Sequence, residues 1–188
     1  MSKSMPTLST DDVKAFCALC DKAHEYWLNH LELFGNNNLR LNELMKSIAR
    51  PELVRLSIIS QEYSLLQVVK LHDKAVMNGN FNLGINYVLT CGRWSDSVRS
   101  SLEKLKKELD RFADQLLDAR NKILSHNDLR TISTGAALGA FADGEDEKYF
   151  NALQEFVNIV RNQVAEGPYP FSTTVKNDIA YFLRTIKP

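Results

Sequence analysis

Apolar side chains recur at Val13, Phe16, Cys17, Cys20, Ala23, Trp27, Leu31 and Phe34, three or four apart along one face of a helix. The spacing predicts a helix over 8–34. Ser9 is placed to cap it, with Asp12 three residues on to reach back, in the manner of a capping box. The run GNNN at 35–38 stops it. A short helix is expected around 41–49, and Pro51 suits the first position of the next one, where a missing N–H costs nothing. That helix, 51–77, carries Leu53, Val54, Leu56, Ile58, Ile59, Leu65, Leu66, Val68, Val69 and Leu71. It is apolar on more than one face, so it reads as the central, most buried helix. NGNFNLG at 78–84 is a break, and a short helix is expected at 85–91.

The most regular pattern lies at 95–125. Val98, Leu102, Leu105, Leu109, Phe112, Leu116, Ala119 and Ile123 alternate steps of four and three, a heptad seam whose next position is His126. Such a seam predicts a long helix packed lengthwise on a neighbour. About twenty glycine-containing residues follow, at 127–145. A connection of that length in a compact domain is usually functional or disordered. Its GAALGAF lacks the Gly-Lys-Ser/Thr ending of a phosphate-binding P-loop. Helices are then predicted at 146–165, through Phe150, Leu153, Phe156, Val157, Val160 and Val164, and at 173–186. No strand and no internal repeat stands out. The fold class expected is all-α: an antiparallel helical bundle of five to seven helices with a long motif-bearing helix, in a single domain over 1–188.

Composition narrows the function classes. Apolar residues are 44% of the 188, enough for a core, and Lys+Arg balance Asp+Glu at 23 each. Zero net charge excludes broad coating of nucleic acid and confines any such contact to a local patch. No apolar run reaches the ~18 residues of a membrane span, and MSKSMPTLSTDD has no apolar signal core. A cytoplasmic protein without membrane attachment is expected. Cys17 and Cys20 form a CxxC inside a helical pattern, with His24 one turn on. Structural zinc needs four ligands and no fourth is evident, so two small packed residues are expected, with no metal and no cofactor.

The candidate chemistry lies in DARNKILSHND, 118–128, at the end of the heptad helix. Arg120, Asn121 and His126 read R-N-x4-H. This resembles the HEPN superfamily of helical bundles, whose signature is an arginine, often followed by a polar residue, and a histidine a few residues beyond. LLDARNKILSHND is similar to the LRDKxxAHxD string of the abortive-infection AbiU branch: Arg120, Lys122, His126 and Asp128 match it. Asn121 stands where that branch often has Asp, and Ser125 where it often has Ala. Upstream, LLQVVKLHDKA at 65–75 resembles the branch's ar-L-x-D helix, with Asp73 as the matching acid.

The resemblance implies an RNA-cleaving homodimer whose paired motifs meet in a cleft on the two-fold axis. The residue types suit metal-independent cleavage. A histidine at a helix C-terminus faces the negative end of the dipole and exchanges protons near cell pH. His126 would take the 2′-OH proton or protonate the leaving 5′-oxygen. The Arg120 fork would hold phosphate oxygens where charge builds. Asn121 would orient the phosphate or the histidine, and Lys122, Asp128 and Asp73 would complete the substrate-binding set. Six residues of α-helix make ~9 Å of rise and about 240° of rotation. Arg120 and His126 therefore share no stripe of a straight helix: either the helix ends or bends before His126, or residues of two chains combine. On the heptad phasing Asn121 faces away from the seam.

Plainer readings stand beside these. His126 would cap the last carbonyls of the helix. Arg120 would pair with Asp114, Asp118 or another surface acid. Asp73 would pair with Arg120 or a lysine, and His72 would be a boundary residue. EKLKKELDR at 103–111 would be a solvated face, and Tyr149, Tyr169 and Phe171 packing residues rather than base-stacking platforms. The functional expectation is a metal-independent endoribonuclease of a toxin or phage-defence type, with RNA as substrate, 2′,3′-cyclic phosphate ends, a homodimeric site, a cognate antitoxin protein as partner, and no DNA. The alternative is a non-catalytic helical module that binds a nucleotide, RNA or protein.

Overall fold

A computed structural model of the chain describes residues 5–35, 39–119, 141–164 and 167–185. Ser9 opens α1 (Thr10–His30) as its position dictates. Its hydroxyl accepts the Asp12 N–H at 3.1 Å, while the Asp12 carboxylate takes the Ser9 N–H at 2.9 Å and hydroxyl at 2.8 Å. Two orphan donors of the first turn are thereby satisfied reciprocally. A π-helical turn, Leu31–Gly35, follows α1. Then come α2 (Leu39–Leu44), α3 (Arg50–Lys70), strands β1 (Val76–Met77) and β2 (Asn80–Phe81), α4 (Ile85–Cys91), α5 (Asp96–Ala119), α6 (Glu145–Asn162) and α7 (Thr174–Thr185). The described residues thus form an all-α fold of seven α-helices with one small ribbon.

That ribbon corrects two expectations. The helix predicted over 51–77 ends at Lys70, and residues read as its tail and the following break pair antiparallel, Val76 with Phe81 and Met77 with Asn80. The cause is Asn78–Gly79, which turns with φ of 51° and 77°. An Asn-Gly pair takes the left-handed conformations of a two-residue hairpin at little cost. At Gly84 the chain passes so close to the end of α3 that a Cβ would sit 2.6 Å from the Leu71 carbonyl oxygen. The Ile85 N–H uses that approach, donating to the same oxygen at 2.8 Å.

The chain divides into two compact units: Met1–Cys20 with Val68–Pro170, and Asp21–Gln67 with Phe171–Pro188. In the first, α5 packs on α6 and on α4. The heptad positions Leu102, Leu105, Leu109, Phe112 and Leu116 are all buried, as are Leu153, Phe156, Val157 and Val160 of α6. Phe16 meets Phe156 edge-on at 5.9 Å. Cys17 and Cys20 have no exposure and pack in this core.

In the second unit, Trp27, Leu28, Leu41, Leu44, Leu65, Val175, Ile179 and Leu183 are buried. Ser64 donates to the Tyr26 carbonyl at 3.0 Å, and the Ser172 N–H donates to Asp21 at 2.7 Å. The reading of α3 as the most buried helix is overturned here. Val54, Leu56, Ile58, Ile59 and Tyr63 are between 39% and 60% exposed. Among its apolar positions only Leu65, Val68 and Val69, near the C-terminal end, are buried. Two-sided apolarity marks surface that has somewhere to go, not surface already covered within one chain.

Candidate functional site

Arg120, Asn121, Lys122, His126 and Asp128 lie outside the described residues, as do Ile123 of the seam and most of the 127–145 connection. The described helix α5 runs to Ala119, immediately before Arg120 in the chain. What the structure describes is therefore the framework that positions α5, and one of the sequence-derived site residues, Asp73.

Asp73 follows α3 in a turn rather than in a helix. Its N–H donates to the Lys70 carbonyl at 3.2 Å, and its own carbonyl accepts the Asn86 amide at 3.1 Å. The same Asn86 amide serves the His72 carbonyl at 3.0 Å, so one side chain of α4 fixes the turn.

His72, read from sequence as a boundary residue, is the centre of a partly buried polar chain. Its side chain is 4% exposed. Nδ1 lies 3.0 Å from an Asp110 oxygen and Nε2 lies 3.0 Å from the Tyr149 hydroxyl. Lys106, one turn before Asp110 on α5, pairs with the other carboxylate oxygen. An ionised carboxylate only accepts, which assigns the proton to Nδ1 and leaves Nε2 to accept from Tyr149. Burial opposes ionisation of Asp110. The hydrogen bonds from His72 and Lys106 and the Lys106 charge outweigh it and hold the carboxyl below its usual range. Burial, followed by the neighbouring Cys20 and Asp110, pushes the Tyr149 hydroxyl far up, so it stays a donor.

The chain Tyr149–His72–Asp110–Lys106 thus ties the turn after α3 and the first half of α6 to α5, ten residues before Arg120. Every polar atom named in it has a partner; its His72–Tyr149 end is buried and its Asp110–Lys106 end reaches the surface, and a satisfied network of this kind specifies one arrangement of the elements that carry it. The sequence contained one piece of this signal, the i,i+4 spacing of Lys106 and Asp110. The links across 38 and 77 residues had none.

Beside the network, a cleft of about 410 Å³ opens between α5 and α6. Arg111 and Lys148 line it together with Glu108, Glu145 and Glu155. Lys148 pairs with Glu145 at 2.8 Å. With acids outnumbering bases, this cleft does not have the character of a phosphate groove.

The aromatic candidates resolve as packing residues. Tyr149 is buried, 4.9 Å from Phe112. Phe171 stacks on His24 at 5.3 Å. Asn158 accepts the Tyr169 N–H at 2.9 Å, Gln154 donates to the Tyr169 carbonyl, and Arg161 lies over its ring at 4.8 Å. On α5, Glu103, Lys104, Lys107, Glu108 and Arg111 are exposed, in agreement with a solvated face. Among the described residues no group of His, Cys, Asp or Glu is arranged to hold a metal, and no helix is long and apolar enough to cross a membrane.

The family model HEPN_AbiU2, described as AbiU2, matches residues 11–184. The match runs from the second residue of α1 to the penultimate residue of α7 and takes in the whole 118–128 motif. No curated protein and no solved structure matches the chain.

Proposed function

The chain belongs to the AbiU2 family of HEPN proteins, and from that premise we propose that it is a metal-independent endoribonuclease of a toxin or phage-defence type, acting on RNA in the cytoplasm at a site composed by two copies. The observation that carries the reading is the position of R-N-x4-H. It follows directly on α5, the helix that the Tyr149–His72–Asp110–Lys106 chain holds in place.

In this reading His126 is the general acid or base and Arg120 the phosphate clamp. The 2′-oxygen attacks the adjacent phosphorus and its proton passes to an imidazole. The bond from phosphorus to the 5′-oxygen breaks, and that oxygen takes a proton. The ends are a 2′,3′-cyclic phosphate and a 5′-hydroxyl. Asn121 orients the phosphate or the imidazole, while Lys122, Asp128 and Asp73 shape the substrate contact. Flexible single-stranded or looped RNA is the expected substrate, because in-line attack needs a free backbone. A cognate antitoxin protein is the expected regulator.

The test is incubation of labelled RNA with the protein in EDTA, beside His126→Ala. The reading expects cleavage with cyclic-phosphate ends, reduced ~10²–10⁴-fold in the variant. One feature favours a second reading, a non-catalytic module that binds a nucleotide, RNA or protein: the net charge of zero. That module binds without cutting in the same assay.

A further inference from the structure

The exposed side of α3 has an order that a solvated helix face lacks. At 100° per residue, Val54 and Ile58 fall on one flank and Leu56, Ile59 and Tyr63 on the other. Between them, at the outermost angle, stand Arg55 and Glu62. The side opposite, around Leu53, Ser57, Ser60 and Ser64, is the less exposed one. The outward face is therefore two apolar flanks with a charged centre line: Arg55, and, two turns on, Glu62. Arg55 pairs only locally, with Glu52 at 2.8 Å, and both side chains stay well exposed. Glu62 has no ion pair among the described residues.

We propose that this face is an interface between two copies of the chain, in which α3 packs antiparallel on α3 of the partner subunit about a two-fold axis between Ile58 and Ile59. The sequence is self-complementary about that point. Arg55 falls opposite Glu62 of the partner subunit, and by symmetry Glu62 falls opposite Arg55 of the partner subunit. Ile58 shares a layer with Ile59 of the partner subunit, and each apolar flank runs along the same flank of the partner subunit. An isologous contact needs this property: each patch must satisfy its own image. The charge pairs fix direction and register, since a parallel arrangement sets like charges side by side.

Area supports a second copy as the occupant. The five exposed apolar side chains leave roughly 400–500 Å² to water, within the ~300–600 Å² of the largest apolar patch on an ordinary monomer, a patch that is often a functional surface. With Glu52, Arg55, Glu62 and Leu66 between and beside them, the strip approaches the ~800 Å² per partner of a standard interface. The Leu56–Tyr63 flank also lines an apolar groove of about 410 Å³ with Tyr26, Phe34 and Phe182, which gives the facing flank a recess to enter.

This inference deepens the two-copy part of the proposed function and rests on that part alone, with none of the RNA chemistry. Sedimentation velocity of the full chain from about 1 to 100 µM tests it. The wild type is expected to run as a dimer. Ile58→Asp with Ile59→Asp, both at exposed positions, is expected to run as a monomer with an unchanged far-ultraviolet spectrum. Arg55→Glu is expected to raise the dimer Kd at least tenfold, and Arg55→Glu with Glu62→Arg to restore it, because the reversed charges again face each other. A wild type that stays monomeric overturns the proposal, whether or not the face captures some other protein. So does a dimer indifferent to the paired Asp substitutions, or one that the charge swap fails to rescue. A dimeric protein that cuts no RNA leaves the inference standing and removes only the ribonuclease reading.

Discussion

Tyr149→Phe removes one oxygen from the buried end of the network and nothing else. The ring keeps its place against Phe112 and Phe150, at 4.9 and 5.2 Å, so no cavity forms. What is lost is the bond at 3.0 Å to Nε2 of His72, on a side chain 4% exposed that no water reaches freely. The orphaned nitrogen loses its partner in a low-dielectric site, a cost of about 1–3 kcal/mol. At ~2–4 °C of Tm per kcal/mol for a chain of this size, the melting point should fall by roughly 2–12 °C. Urea unfolding gives the free energy directly, with an unchanged m-value if the substitution acts on the folded state. The same change in a His72→Phe background identifies the cause. With the imidazole already gone, Tyr149→Phe should cost at least ~1 kcal/mol less, the coupling expected of groups in direct contact. A loss below ~0.5 kcal/mol, or an equal loss in both backgrounds, refutes the claim that this hydrogen bond holds α6 and the turn after α3 to α5.

Three further outcomes follow from the same structure. Burial lowers His24, against an opposing pull from Asp21, and burial lowers His30, both below the ordinary 6.5. The unfolded chain then binds more protons at mildly acid pH. Their stabilisation is complete above about 6.5 and is lost as the pH falls from there toward the depressed folded values. Tm should therefore drop between pH 7 and 5, and His30→Phe, placed between Trp27 and Phe34, should flatten that drop; an unchanged slope contradicts it. Asp110 is depressed too, so its contribution persists above its ordinary 3.8 and disappears only at lower pH; Asp110→Asn should change the melting profile below pH 4 and leave the 7-to-5 drop intact. Gly84→Ala should destabilise by more than ~1 kcal/mol in urea, because the new Cβ meets a backbone oxygen 2.6 Å away, whereas Gly79→Ala, with φ of 77° but nothing within 4 Å, should cost only about 1 kcal/mol.

Where a pattern is local and periodic, the chain declares its structure. The α5 seam and the Ser9–Asp12 cap are both legible because each depends on residues three or four apart. The hairpin was also written locally, in Asn78–Gly79, but four apolar residues before it continued a helical rhythm and masked the turn. The exposure of α3 lay beyond sequence reasoning for a different reason. An apolar pattern says that a face seeks cover, and it does not say whether that cover comes from the same chain. His72 is a third kind of case. A lone histidine after an apolar run gives no sign of an aspartate 38 residues away and a tyrosine 77 away. Of the candidate site, the motif was legible as a string, from Arg120 to Asp128, and Asp73 as the matching acid of a separate upstream string. The geometry that would join those residues depends on long-range packing, which no spacing rule encodes.

In the proposed function one working site draws its groups from two copies of the chain. Mixing two inactive variants tests it most directly. Arg120→Ala keeps His126 and His126→Ala keeps Arg120; exchanged into mixed dimers, they restore one site with both groups intact. Labelled RNA in EDTA should be cut by the mixture, at up to about a quarter of the wild-type rate if the copies exchange at random, while each variant alone stays inactive. Two variants that stay as inactive together as apart, under conditions where mixed dimers are shown to form, would contradict a shared site.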